Sequence, residues 1–255
     1  MRVRVLSIGY ELLIGKVVNT NAAWLSAELT KRGHIVERII CIGDDEQTIS
    51  SEIRGSVSGG VDAVITTGGL GPTFDDITAR SVAKGLGKQC VVNAEALKMI
   101  RGKYESLGLP LTAERIKMAE LPSGSIILRN PVGTAPGFAI TQGGTLIIGL
   151  PGVPVEMKEM FREAADRFFP FVGEFVEESI FVEGLPESSV AAIIEQTVKK
   201  NPFVYIKTHP RDTEGASFIE VHVYTHSSDP LVKNHVARIS DELRTTLLKA
   251  GAKLR

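Results

Sequence analysis

The chain has 255 residues, 43% hydrophobic and 23% charged, with a formal net charge of -1. That length and balance suit a globular protein with one large core, or one core plus a small satellite domain. They argue against a whole-protein electrostatic footprint for nucleic acid or an anionic membrane, and no run approaches the roughly 18 to 20 apolar residues of a membrane helix.

At the N-terminus, Arg2 and Arg4 alternate with Val3 and Val5 in MRVRVLSIGYELL, which is a strand pattern and not a signal peptide. Apolar runs at 3–9, 35–43 and 62–69 alternate with helical patterns, the mark of βαβ units and a parallel sheet. The first helix is expected after Asn19 or Thr20 as cap, through Trp24, Leu25 and Leu29, with Gly33 as its stop. The second follows Asp44 and Asp45 and carries Ile49, Ile53 and Val57; a third starts near Asp76. Helical stretches at 93–108 and 114–120 come next, then a strand at 125–130. FAITQGGTLIIGL (138–150) is expected as an antiparallel edge hairpin turning at Gln142, Gly143 and Gly144, before a helix over about 155–169.

Beyond residue 171 the pattern changes. A strand at 177–183, a helix at 186–200, the strands FVYIKTH and SFIEVHVYTH around the polar loop HPRDTEGAS, and a helix from about Asp229 form a β-α-β-β-α unit. The expected domains are therefore 1–171 and 172–255. Apolar Ile219, Val221 and Val223 on one sheet face, with Phe218 and Tyr224 on the other, lead to the expectation of a homodimer formed through this smaller domain. Cys41 and Cys90 lie far apart with no CxxC, pointing away from a zinc site or disulfide framework and toward a cytoplasmic location.

The motif TTGGLGPTFDD (66–76) carries the chemistry. At the carboxyl end of a parallel strand, Gly68, Gly69 and Gly71 let the backbone approach an anion closely, which describes a phosphate cradle. Asp75 and Asp76 fit beside a phosphate when one caps the helix and the other holds a divalent cation; the plainer reading is that both only cap. By the same strand-end logic Glu11 and Asp44 converge with Asp76 on one pocket, and three gathered carboxylates require a cation or shifted pKa values. GYELLIGKV (9–17) is not a nucleotide-binding lysine loop, because five residues separate Gly9 from Gly15 and Val17 stands in place of Ser or Thr. His222 and His226 lie roughly 13 Å apart along a strand and cannot share a metal.

GYELLIGKVVNTNAAWL, the GDD at 43–45, TTGGLGPTFDDIT, NPVGTAPGF (130–138) and LPGVPVEMKEM (150–160) together resemble the amino-terminal domain of the competence/damage-inducible protein CinA. The resemblance implies a molybdopterin-binding (MogA-like) α/β fold, a mostly parallel sheet flanked by helices, followed by a small KH-type domain. It further implies metal-dependent cleavage of ADP-ribose to AMP and ribose 5-phosphate. Asp44 and Asp76 would hold the cation with Glu11 beside them, the cation being Co, Mg or Mn, with potassium as a further candidate. Backbone amides of Gly69, Gly71 and Thr73 would stabilise phosphate charge, while Asn130, Thr134 and the loop from Pro151 and Gly152 to Pro154 would line the nucleoside side. For Asn130 a turn role before Pro131 stays open, and for Glu156 a favourable charge in the first turn of a helix. Tyr10 departs from the small or polar residue usual there. The chain ends before the amidohydrolase domain of many bacterial relatives, so deamidation of nicotinamide mononucleotide is not expected. The alternatives are a molybdopterin or nucleotide binding module and a molybdopterin adenylyltransferase. The small domain lacks the GXXG that clamps nucleic acid in KH domains, which leaves a nucleotide or pterin as the expected partner.

Overall fold

The computed structural model describes the chain except residues 214, 215, 228 and 230, and the side chains of 174, 212, 213, 216 and 217. It divides into two compact units: Met1–Thr30 with His34–Pro170, and Lys31–Gly33 with Phe171–Arg255.

The first unit opens with β1 (Arg2–Ile8), a four-residue helix α1 (Tyr10–Leu13), α2 (Thr20–Lys31), β2 (Ile35–Ile42), α3 (Glu46–Ser58) and β3 (Ala63–Thr67). The Asn19 side chain accepts from the Ala22 amide at 3.1 Å, so Asn19 is the capping group at the start of α2. Asp45 caps α3 through the Thr48 amide at 2.7 Å, and the Thr48 hydrogen bonds hold its carboxyl below the usual range. Next come α4 (Thr78–Gly85), β4 (Cys90–Val92), α5 (Ala94–Ser106), α6 (Ala113–Lys117), β5 (Glu120–Pro122), β6 (Ile126–Leu128), β7 (Gly137–Gln142), β8 (Thr145–Leu150) and α7 (Pro154–Phe168).

The main sheet has the order β2-β1-β3-β8-β7-β6. β1, β2, β3 and β8 run parallel, while β7 pairs antiparallel with both β8 and β6. The 138–150 hairpin is therefore present but does not form the edge. β8 lies inside the sheet because the run Leu146–Leu150, almost wholly buried, supplies the second apolar face that β3 needs. One core cluster includes Leu6, Ile49, Ile53, Val82, Ile100, Phe138 and Ile147, and another Val5, Leu25, Leu29, Ile65, Ile148 and Phe161. β3 is buried along its whole length, as expected for a central parallel strand.

The second unit contains β9 (Glu174–Glu183), α8 (Glu187–Lys200), β10 (Tyr205–Thr213), β11 (Ala216–Ser227), α9 (Val232–Lys249) and β12 (Lys253–Leu254), with its own sheet of order β10-β11-β9-β12. Most of the HPRDTEGAS loop is strand: β10 and β11 stay paired as far as Thr213 opposite Ala216, and the tip lies outside the described residues. Ile219, Val221 and Val223 are buried with Val190, Val236, Ile239 and Leu243 in a cluster built from the strands, α8 and α9. That face is consumed within the unit, so it supplies nothing to a homodimer. On the other face His222 meets Glu177 at 2.8 Å, and the His226 ring packs on Phe175 with centroids 4.8 Å apart.

Candidate functional site

Four parallel strands end on the same side of the first sheet, and the loops leaving β1, β2, β3 and β8 surround one cavity of about 440 Å³. Ligands of open α/β sheets bind at this end. Glu11 comes from the β1 loop, Asp44 from the β2 loop, Gly68, Gly69, Gly71, Thr73, Asp75 and Asp76 from the β3 loop, and Pro151 and Gly152 from the β8 loop; Thr134 and Glu156 complete the wall.

The β3 loop is held by its own hydrogen bonds. The Gly68 amide donates to Leu150 O at 3.0 Å, and the Thr78 amide reaches back to Gly69 O at 3.0 Å. Asp76 accepts from the Thr73 amide at 2.8 Å and from its hydroxyl at 2.7 Å, while Lys117 Nζ donates to Thr73 O. Gly68 and Gly69 sit at φ +101° and +65°. A Cβ on either would come under 3.0 Å from Ile8 O or Thr78 Oγ1, so packing as well as conformation demands glycine there. Gly71 has no positive φ; its missing Cβ leaves room for the Asp76 carboxylate. Among the described residues, the amides of Gly69, Leu70 and Gly71 donate to no backbone carbonyl.

The aspartate pair departs from the sequence expectation. Neither residue caps α4, whose N-cap is Ile77 with no side-chain hydrogen bond. Asp76 is folded back onto Thr73, whose single hydroxyl hydrogen is shared between Asp75 and Asp76, and the contact with Asp75 holds that carboxyl below the usual range. Among the described residues no three His, Cys, Asp or Glu side chains are gathered so as to hold a metal ion. Glu11, Asp44 and Asp76 line one pocket, with Asp76 hydrogen-bonded within its own loop.

Asp44 accepts from the Tyr10 amide at 2.9 Å. Burial pushes its carboxyl above the ordinary 3.8, with Glu11 and Asp75 adding like-charge repulsion. A raised carboxyl pKa favours the fold below the unfolded value, and that stability is lost as pH rises through the folded value. Asp44→Asn, which keeps an acceptor for Tyr10, is accordingly expected to melt at a higher temperature than the wild type at pH 7. The difference should shrink as pH falls toward 3.8; a lower melting temperature at pH 7 would contradict this electrostatic reading.

Of the two roles open for Asn130, lining the ligand and holding the turn before Pro131, its hydrogen bonds fit the turn. Its amide nitrogen donates to Ala135 O at 2.9 Å and Glu156 Oε2 at 2.7 Å; its oxygen accepts from Val132 and Gly133 at 3.2 and 2.6 Å. All four hydrogen-bonding places of the side chain are taken. It lines a neighbouring cavity and positions Glu156, which lies in the first turn of α7 and reaches the main pocket. In the same way Asn21, buried in α2, donates to Gly152 O at 2.8 Å and anchors the β8 loop. Phe74, 93% exposed between Thr73 and Asp75, was not singled out in the sequence; its only signal there is an aromatic residue inside a glycine- and acid-rich loop.

A family model described as a probable molybdopterin binding domain matches residues 4–170. The chain is 46% identical to a protein of Pyrobaculum aerophilum over 94% of this chain and 91% of that one. It is 42% identical to a protein of Aeropyrum pernix, over 100% and 92%. Among solved structures, the protein CinA of Thermoplasma acidophilum, described as of unknown function, is 40% identical with a TM-score of 0.62, covering 66% of this chain and 97% of that one. The matched span holds the six-stranded sheet except Arg2 and Val3 of β1, and every residue of the pocket, and the chain belongs to the probable molybdopterin binding domain family.

Proposed function

We propose that the pocket binds a small phosphate-bearing heterocycle, a phosphorylated pterin such as molybdopterin or a nucleotide. The observation that carries this reading is the row of three successive residues, Gly69, Leu70 and Gly71, that line the strand-end cavity and whose amides donate to no backbone carbonyl among the described residues. Such a row attracts an anion through fixed dipoles and needs no lysine or arginine. The carboxylates of Glu11, Asp44 and Asp75 lie in the same cavity and would repel a second phosphate placed among them. They suit the N–H and amino groups of a pterin or purine edge, which a carboxylate accepts in pairs.

Diphosphate cleavage is the second reading. What favours it is the like-charge crowding around Asp44, which a divalent cation would relieve. Titration calorimetry with a pterin monophosphate, AMP and ADP-ribose tests the first reading, and product analysis with Mg, Mn or Co, with and without potassium, tests the second. Saturable binding without turnover leaves the binding module; release of AMP and ribose 5-phosphate makes the protein a hydrolase; no binding of any of the three ends both.

Asp76→Asn separates the two readings further. As a loop brace Asp76 accepts two hydrogen bonds, and the amide keeps an acceptor while losing charge assistance, a change of about 1 kcal/mol. Binding without metal is then expected to weaken only about fivefold. Abolished turnover with unchanged metal-free binding would instead assign Asp76 to a cation.

A further inference from the structure

A second cavity of about 370 Å³ adjoins the main pocket and shares Thr134 with it. The two walls differ sharply in charge. Glu11, Asp44, Asp75, Asp76 and Glu156 line the first, with no lysine or arginine; Lys103 and Arg129 line the second, with no acid. Among the described residues neither cation forms an ion pair. Lys103 Nζ, in the last turn of α5, reaches only Val132 O at 3.5 Å, and Arg129 follows β6 with no hydrogen bond or salt bridge. The partition between the cavities is hydrogen-bonded throughout its turn. Asn130 fixes the turn from Val132 to Ala135 and also ties it to Glu156, and a Cβ on Gly133 would come under 3.0 Å from that carboxylate.

We propose that this second cavity is an anion subsite, in which Lys103 and Arg129 take a second phosphate or carboxylate of the same ligand whose first phosphate lies on the glycine-loop amides. This rests on the binding function proposed above and narrows its ligand to a molecule with two separated anionic groups. Lys103 meets the C-terminal end of the α5 dipole, but neither it nor Arg129 has an anionic partner among the described residues, and the acid-lined cavity disfavours a second anion. The ligand would lie with its heterocycle against the carboxylates and its far anion past Thr134.

Three probes test it: AMP, adenosine 3′,5′-bisphosphate and inorganic phosphate, each titrated into the wild-type chain and into Lys103→Ala/Arg129→Ala. Both side chains reach solvent, and a melting curve for the variant checks that it folds. The bisphosphate is expected to bind about tenfold tighter than AMP to the wild type, the worth of one charge-assisted contact. The double variant should lose that gain while AMP affinity stays unchanged, and Lys103→Arg should retain it. Inorganic phosphate should shift the amide resonances of Gly102 and Gly133 in the wild type only. A gain that survives the double substitution overturns the proposal. So does phosphate binding at Lys103 and Arg129 with no gain for the bisphosphate while AMP binds, since the subsite then serves a separate anion. If neither nucleotide binds but the phosphate shifts appear and vanish as stated, the cationic subsite stands and the proposed function fails. Absent shifts together with absent gain overturn the subsite itself.

Discussion

Gly68→Ala is expected to destabilise the first unit by roughly 2–4 kcal/mol and to abolish binding in the pocket. At φ +101° the backbone is one that an L side chain rarely adopts, and the added methyl would come under 3.0 Å from Ile8 O. Relief by local movement is blocked on both sides. Ile8 ends β1 in the middle of the sheet, and the Gly68 amide is tied to Leu150 O at the end of β8. Displacing Gly68 moves Gly69 and the free amides behind it, so stability and affinity should fall together. Gly60→Ala is the matched control: its φ is +64°, but a Cβ there meets nothing within 4 Å. It should cost only about 1 kcal/mol and leave binding intact. Chemical denaturation of the two variants, with calorimetric titration of AMP, decides it; equal effects from both would mean that the close approach at Gly68 carries no energy.

Phe138→Ala should lower stability by about 3–5 kcal/mol, the usual range for emptying a buried phenylalanine site. Phe138 is fully buried on β7, directly opposite Gly149 of β8. A Cβ on Gly149 would come under 3.0 Å from the ring, so the ring occupies the space which that glycine leaves open. The surrounding cluster includes Ile8, Leu70, Met118 and Ala135, the same residues that back the pocket wall. Domains are stable by only about 5–15 kcal/mol, so the variant would be left marginal, with a melting temperature lower by roughly 6–20 °C. A loss below about 1 kcal/mol would show that the cluster collapses around the gap.

Hydrophobic period made much of the sheet legible. The runs at 3–9, 35–43 and 62–69 are β1, β2 and β3, and helix spacing located α2, α3, α5 and α9. What escaped was short or set by distant partners. Helix α1 has four residues, too few to show a period, and β4, β5 and β12 have two or three each. The position of β8 inside the sheet depends on pairing with β3, some eighty residues earlier, which no local pattern encodes. Strand-end logic gathered Glu11, Asp44 and the glycine loop with Asp76 into one pocket, because strand order decides which loops meet, while Gly152 came only from the family resemblance. Side-chain direction was not legible. Asp76 bonding Thr73, and Asn130 spending all its hydrogen bonds on its own loop and Glu156, are choices between neighbouring partners only ångströms apart.

The central claim is that the amides of the glycine loop receive a phosphate. Its most direct measurement is a two-dimensional amide NMR titration of the wild-type chain with a pterin monophosphate and, separately, AMP. The resonances of Gly69, Leu70 and Gly71 should show the largest shifts, saturating with the calorimetric affinity, while amides of the second unit stay in place. Saturable binding of either compound with those three amides unmoved would contradict the account.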